Sequence, residues 1–120
     1  MATQTVHLLV ESTIYEGHLD AFEGLAQEMV AVSKMEPGTL GYDWYLSGDG
    51  RRSRLMETYA DANALVAHFE GPAVQQLVPK LLEHCRLERF ECYGDPGPEA
   101  TEMLKGFGAE IFQPWHILSR

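Results

Sequence analysis

Residues 39 to 60 constrain this chain most. Two runs, TLGYDWYL and RLMETYA, are joined by SGDGRR. Aromatic and aliphatic side chains suit a pleated, half-buried surface. Gly-Asp-Gly supplies the positive backbone angles that a tight reversal needs, so an antiparallel hairpin is expected. The rings of Tyr42, Trp44 and Tyr45 crowd one of its strands. They are either packing or the wall of a site for a flat ligand.

The flanking residues place the hairpin in a larger order. Residues 5 to 12 read as a strand, with Val6, Leu8 and Val10 opposed to His7, Leu9 and Glu11. After Gly17, the residues Leu19, Phe22, Leu25, Ala26, Met29 and Val30 recur at helical spacing. EPG at 36 to 38 ends that helix. Asp61 sits at an N-cap position, and ANALVAHF is the helix it opens. Gly71-Pro72 breaks it. Helical spacing resumes through Val74, Leu77, Val78, Leu81, Leu82 and Cys85, with a kink or fresh start expected at Pro79. RLERFECYG is a fourth strand, with Leu87, Arg89, Glu91 and Tyr93 opposed to Glu88, Phe90 and Cys92. EATEMLKGFG is a short helix. AEIFQPWHIL is an extended tail that Pro114 confines to an edge or a bulge.

The order β-α-β-β-α-β predicts an α+β fold of the ferredoxin-like, split βαβ kind with an antiparallel sheet. At 120 residues the chain is expected to form one domain, with 99 to 120 as an extension. Both main helices fall on one face of such a sheet. The other face is not cleanly polar, since Leu9, Tyr45 and the set Leu40, Tyr42, Trp44 and Leu46 leave apolar residues on both sides. A bare apolar layer is a liability for a monomer. A homodimer closed sheet to sheet, a dimeric α/β barrel, is therefore expected.

Charge narrows the partners. With 9 basic residues against 18 acidic and a net charge of −9, nucleic acid and anionic membranes are disfavoured. RRSR at 51 to 54 reads as a solvated hairpin end. No apolar run approaches the ~20 residues of a membrane span. MATQTVHLLVES lacks a basic n-region and a small-residue cleavage site, so no signal peptide is expected. Cys85 and Cys92 match neither a redox pair nor a zinc spacing and read as buried thiols in a reducing cytoplasm.

Chemistry must come from few residues. There is no phosphate loop, and Ser and Cys lack a nucleophile elbow. The histidines are His7, His18, His68, His84 and His116, with no HExxH or paired-ligand spacing, so neither a metal nor another cofactor is expected. His68 lies on the buried stripe of its helix. It is either a core residue, bonded to a backbone carbonyl and a side chain, or a base facing a pocket between helix and sheet. His7 ranks next and His116 below it. His18 and His84 read as surface residues at helix ends. Tyr42, Trp44, Tyr59, Phe69 and Trp115 are more rings than filling requires, and they suit a planar aromatic guest.

EPGTLGYDWYLSGDG and RLMETYADANALVAHFEGP together resemble the antibiotic biosynthesis monooxygenase family, including its quinol monooxygenase branch. GAEIFQPWHILSR is similar to the closing strand of the longer members. The resemblance implies a dimeric α/β barrel and oxygenation of quinol-type or polycyclic aromatics by O₂ without cofactor. It implies His68 as catalytic base, with Tyr42, Trp44, Tyr59 and Phe69 on the pocket side; His7 and Trp115 complete the substrate-binding set. Many members follow the helix with Ser-Pro-His. Here the stretch is Gly71-Pro72-Ala73, so a second family histidine is missing at Ala73. A haem-degrading branch of the fold needs an Asn, a Trp and an axial His. The matching positions are Ser12, Tyr59 and Val78, and none fits. Two further readings remain: an acid–base isomerase or cyclase that also uses His68, and a small-molecule-binding or stress-response dimer without activity.

Overall fold

The computed structural model describes residues 4–118 and Arg120. Strand β1, Val6–Ile14, is followed by helix α1, Leu19–Ser33, then strands β2, Thr39–Leu46, and β3, Arg52–Tyr59, and helix α2, Ala62–Glu70. A π-helical turn, Ala73–Leu77, leads into the one-turn helix α3, Val78–Leu81. Strand β4, Cys85–Tyr93, helix α4, Gly97–Gly106, and strand β5, Glu110–Phe112, follow. The sheet order β2-β3-β1-β4-β5 is the ferredoxin-like arrangement with one added edge strand. The sheet is mixed rather than wholly antiparallel, because β5 pairs parallel to β4. Helix α4 makes the crossover that parallel neighbours require. Within the chain the sheet is open and does not close on itself.

Local chemistry explains most of the elements. In the hairpin turn, Gly50 alone takes the positive φ, at 72°. Asp49 ties that turn by accepting from Ser47 Oγ and from the Arg51 amide. Asp61 Oδ1 accepts the Ala64 amide at 2.8 Å and caps α2. Pro79 has no N–H for residue 75 and its ring crowds that carbonyl. The chain widens instead, and the Val78 amide reaches back to the Ala73 carbonyl, a π-type bond. The expected helix through Cys85 therefore stops early. Cys85 begins β4, where its side chain is buried.

Register corrects three further expectations. Ser12 pairs with Leu87 while Glu11 pairs with Arg89, so Glu88 is an extra residue in β4. That bulge puts Leu87 on the helix side with Phe90 and Cys92, and not with Arg89, Glu91 and Tyr93. A second irregularity between Thr39 and Gly41 leaves Leu40 63% exposed, and Leu46 is exposed at the far end of β2. Only Tyr42 and Trp44 of that set turn inward. On α1, Leu19 and Val30 lie at the solvent edge, while Phe22, Ala26 and Met29 are buried.

The core has two parts. Val6, Leu8, Tyr59, Leu65, Phe69, Cys92, Ala100 and Leu104 pack beneath α2 and α4. Ile14, Phe22, Met29, Tyr42, Leu55, Leu77, Leu81 and Cys85 pack beneath α1 and α3. The opposite face of the sheet is mixed, not largely apolar. Tyr45 and Met56 are exposed there beside the ion pairs Arg54–Glu11 and Arg89–Glu91, both at 3.0 Å.

Gly38 joins α1 to β2 and lies against α2, where an added Cβ would collide with the Cβ of Ala64. Gly38→Ala should lower the unfolding free energy by about 1–3 kcal/mol, as overpacking does. In an Ala64→Gly background the same change should cost much less. Urea denaturation of the four proteins measures this; equal costs in both backgrounds would show that the contact is not the cause.

Candidate active site

A cavity of about 50 Å³ opens where the two parts of the core meet. Tyr42, Trp44, Glu57, His68 and Phe69 line it, with aliphatic residues such as Val74 and Val78 from the π-helical turn and α3. Strand alternation supplies the sheet side. Leu55, Glu57 and Tyr59 share the inward face of β3, and Tyr42 stands opposite Glu57 in register. Helix α2 supplies His68 and Phe69 from consecutive positions on its buried side.

His68 is 2% exposed, so its ring nitrogens meet protein groups rather than bulk water. Nδ1 lies 2.8 Å from Glu36 Oε1. A carboxylate only accepts, so Nδ1 carries the hydrogen. Glu36 also accepts from the Thr39 hydroxyl at 2.7 Å, which fixes its position. Nε2 lies 3.8 Å from Glu57 Oε1, beyond hydrogen-bond length. In the neutral ring this nitrogen is the one with the lone pair. The core-histidine expectation of a backbone carbonyl partner is thus corrected: both neighbours are carboxyl groups.

Glu57 is 5% exposed. Burial raises its pKa above the usual carboxylate range, and the opposing influences of His68 and of the Tyr59 hydroxyl do not offset this. The Tyr59 hydroxyl donates to Glu57 Oε1. Burial first, and Glu57 second, push the Tyr59 and Tyr42 phenols far above their ordinary value, so both stay neutral donors. Burial likewise raises both thiols, that of Cys92 to about 11, which leaves them unreactive. The Trp44 indole N–H is buried without an acceptor.

The sequence candidates divide between two places. Tyr42 and Tyr59 have ring centroids 5.3 Å from that of His68, and Phe69 stands 6.3 Å away. Trp44 adjoins Tyr42 at 6.0 Å. His7 instead faces the bare side of the sheet, 3.2 Å from Thr58 Oγ1. Trp115 is 87% exposed in the tail beyond β5. These two border a separate open cleft with Tyr93, Phe112 and His116. His18 and His84 are not isolated surface residues: their Nδ1 atoms meet at 2.9 Å, half-buried. Among the described residues, no group of three or more His, Cys, Asp or Glu side chains is placed to hold a metal ion. No helix among them is long and apolar enough to cross a membrane.

Glu36 and Glu57 are the residues that sequence reasoning missed. Glu57 left a trace, being a carboxylate in phase with Leu55 and Tyr59 on an inward-facing set. Glu36 left none, since EPG reads only as a helix stop.

The sequence profile described as antibiotic biosynthesis monooxygenase matches residues 5–80. The chain belongs to the antibiotic biosynthesis monooxygenase family. No curated protein sequence matches it significantly. Among solved structures, MupZ from Pseudomonas fluorescens superposes with a TM-score of 0.83 at 23% identity, covering 98% of this chain and 95% of that one. SnoaB, a cofactor-independent oxygenase from Streptomyces nogalater solved as an N63A mutant, gives 0.68 at 14% identity, covering 79% and 96%. A conserved protein of Bacteroides thetaiotaomicron gives 0.69 at 25%, covering 76% and 97%. The family match spans β1 to α3, and therefore includes His68, Glu36 and Glu57. The MupZ likeness extends to α4 and β5, so the added edge strand is part of the shared fold.

The raised pKa of Glu57 has a stability consequence. An unfolded Glu ionises near about 4.3, while the native carboxyl keeps its proton to higher pH. Between those values the native state binds more protons, so the contribution of Glu57 is present at low pH and lost as pH rises, by at most about 1.4 kcal/mol per unit. Glu57→Gln does not titrate. Its unfolding free energy relative to the native protein should therefore climb with pH above the ordinary carboxylate range. Denaturant melts at a series of pH values read this directly, and parallel curves would exclude a raised pKa.

Proposed function

We propose that this protein is a cofactor-independent monooxygenase that oxidises a quinol-type or polycyclic aromatic guest with O₂. One observation carries the reading: His68 lines an apolar cavity with its Nδ1 held by Glu36, so that in the neutral ring Nε2 carries the lone pair. Such a base takes the proton of a phenol. With 1-naphthol the steps balance. Nε2 removes the hydroxyl proton, and the electron-rich ring gives an electron pair to O₂ as a carbon–oxygen bond forms. The resulting hydroperoxide loses water. Naphthol and O₂ become naphthoquinone and water, with one oxygen atom in each product. The protein supplies the base, orients the ring between Tyr42 and Phe69 and keeps bulk water out.

The cavity, at about 50 Å³, is smaller than ligand pockets of about 300–1,000 Å³. Admission of a bicyclic guest needs Val74 and Val78 to move outward. Both belong to the segment whose helix is already broken at Pro79, and π-helical turns are frequent at functional sites.

A redox-neutral acid–base isomerase or cyclase is the second reading, favoured by the buried Glu57 carboxyl, an acid that oxygenation does not require. We also propose a homodimer closed over the bare side of the sheet. Tyr45 and Met56 offer it apolar area, and the Glu11–Arg54 and Arg89–Glu91 pairs offer charges of both signs to a two-fold copy.

With ¹⁸O₂ and a panel of naphthols and hydroquinones, the protein should consume one O₂ per turnover and place one labelled atom in the organic product. His68→Ala should lower kcat/KM by about 10²–10⁴. An unchanged rate in that variant would remove His68 from the mechanism. Turnover without O₂ uptake would favour the acid–base reading, and no turnover the binding dimer. Sedimentation at micromolar concentration should give twice the chain mass; a monomer would sink the proposed dimer.

A further inference from the structure

The cavity contains a second ionisable group that proton abstraction by His68 leaves unused. Glu57 reaches it because β3 alternates: Leu55, Glu57 and Tyr59 share one face, with Leu8 opposite Glu57 on β1 and Tyr42 opposite it on β2. Its Oε1 meets the Tyr59 hydroxyl and, at 3.8 Å, His68 Nε2. Val10, Met29, Leu55, Phe69 and Phe90 line the same cavity. The polar and titratable groups facing it are Tyr59 from its own strand, Tyr42 from β2, His68 from α2 and Glu36 from the α1–β2 loop. No Lys or Arg pairs with it among the described residues.

Two carboxyl groups thus flank one imidazole, and their surroundings differ. Glu36 is partly exposed and accepts two hydrogen bonds, from Thr39 and from Nδ1 of His68. Those bonds suit an ionised carboxylate. Glu57 is walled off from water, and ionising it would place a second negative charge beside the first. Of the two carboxyl groups, Glu57 is the one whose protonated form burial favours. Nearby, the indole N–H of Trp44 is another donor without an acceptor, buried at the edge of the same cavity. Glu57, Trp44, Tyr42 and His68, polar tips in an otherwise apolar lining, suit an oxygen atom on the guest.

We propose that Glu57 is a further catalytic residue: a carboxylic acid whose free hydroxyl, on Oε2, donates a hydrogen bond to a carbonyl or phenolic oxygen of the guest, so that the site selects oxygenated aromatics over hydrocarbons of the same shape. The inference rests on the proposed use of this cavity and names the substrate class it takes. As His68 Nε2 removes a proton from carbon or oxygen, negative charge builds on the guest oxygen, and Glu57 stabilises it there. Where the proton passes fully to a ketone, the guest gains hydrogen at oxygen and loses one at carbon. Glu57 is then a carboxylate beside a charged His68, and the proton returns from Nε2 to Glu57. No oxidant takes part in that cycle. The same acid serves the oxygenase, where it holds the anion that reacts with O₂.

The test separates this inference from the oxygenase reading. Infrared spectra of the wild-type protein at neutral pH should contain a protonated-carboxyl C=O band that Glu57→Gln lacks. 1-Tetralone, an aromatic ketone, should shift the band to lower frequency, whereas tetralin, its carbon skeleton without the oxygen, should not. Glu57→Leu should weaken tetralone binding about tenfold and leave tetralin within about twofold. A spectrum without the acid band, a band that tetralone leaves unmoved, failure to bind tetralone, or equal losses for both probes would each overturn the proposal. If the leucine variant does not fold, the wild-type pH titration of the band, with ¹³C-labelled Glu, decides alone: disappearance of the band in the ordinary carboxylate range would refute it. An acid band that responds to tetralone in a protein that takes up no O₂ would retain this inference and reject oxygenation. Labelled product without such a band would do the reverse.

Discussion

One hydrogen bond, from His68 Nδ1 to Glu36, organises the interior. It joins residues 32 apart in sequence and belongs to neither helix nor sheet. A buried imidazole without partners would cost about 1–3 kcal/mol for each lost bond. With Glu36 in place, the ring is held in one tautomer and orientation between Tyr42 and Tyr59. The approach of Gly38 to Ala64 brings the loop close enough to α2 for that bond to form. The bond from the Thr39 hydroxyl then links the same carboxylate to the start of β2.

The interior surrounding this bond is a compromise between packing and chemistry. Aliphatic side chains at the sites of Glu57 and His68 would fill the seam between the two parts of the core more cheaply than an ionisable pair. The unpaired indole N–H of Trp44 adds a further cost. These polar groups all adjoin one cavity, whereas beneath α4 the buried side chains include Leu65, Ala100 and Leu104.

The sheet divides the molecule into a helix-covered side that holds the cavity and a bare side. Inward residues of β1 to β4 meet helices, while outward residues alternate apolar groups with ion pairs. The single-residue bulge at Glu88 maintains that division, because without it Leu87 and Phe90 could not both face inward. Alternation on β1 turns His7 away from the cavity and the tail carries Trp115 beyond β5, so the aromatic residues of this chain lie on two separate surfaces.

The hairpin, the Asp61 cap, the stripe on α2 and the break at Pro79 were all legible in the chain, since each depends on neighbours within a few residues. So was the side of β2 on which Tyr42 and Trp44 stand, because alternation is a property of any strand. The parallel run of β5, the inward turn of Leu87 and the distance of Trp115 from His68 were not. They depend on strand register and crossover direction, which periodicity does not encode. Least legible was the pair of carboxyl groups around His68. Glu36 reads as part of a loop and Glu57 as one charge in a strand. Only the packing of α2 against the sheet brings them to His68 and buries Glu57, and burial is what raises the pKa of an ordinary strand carboxylate.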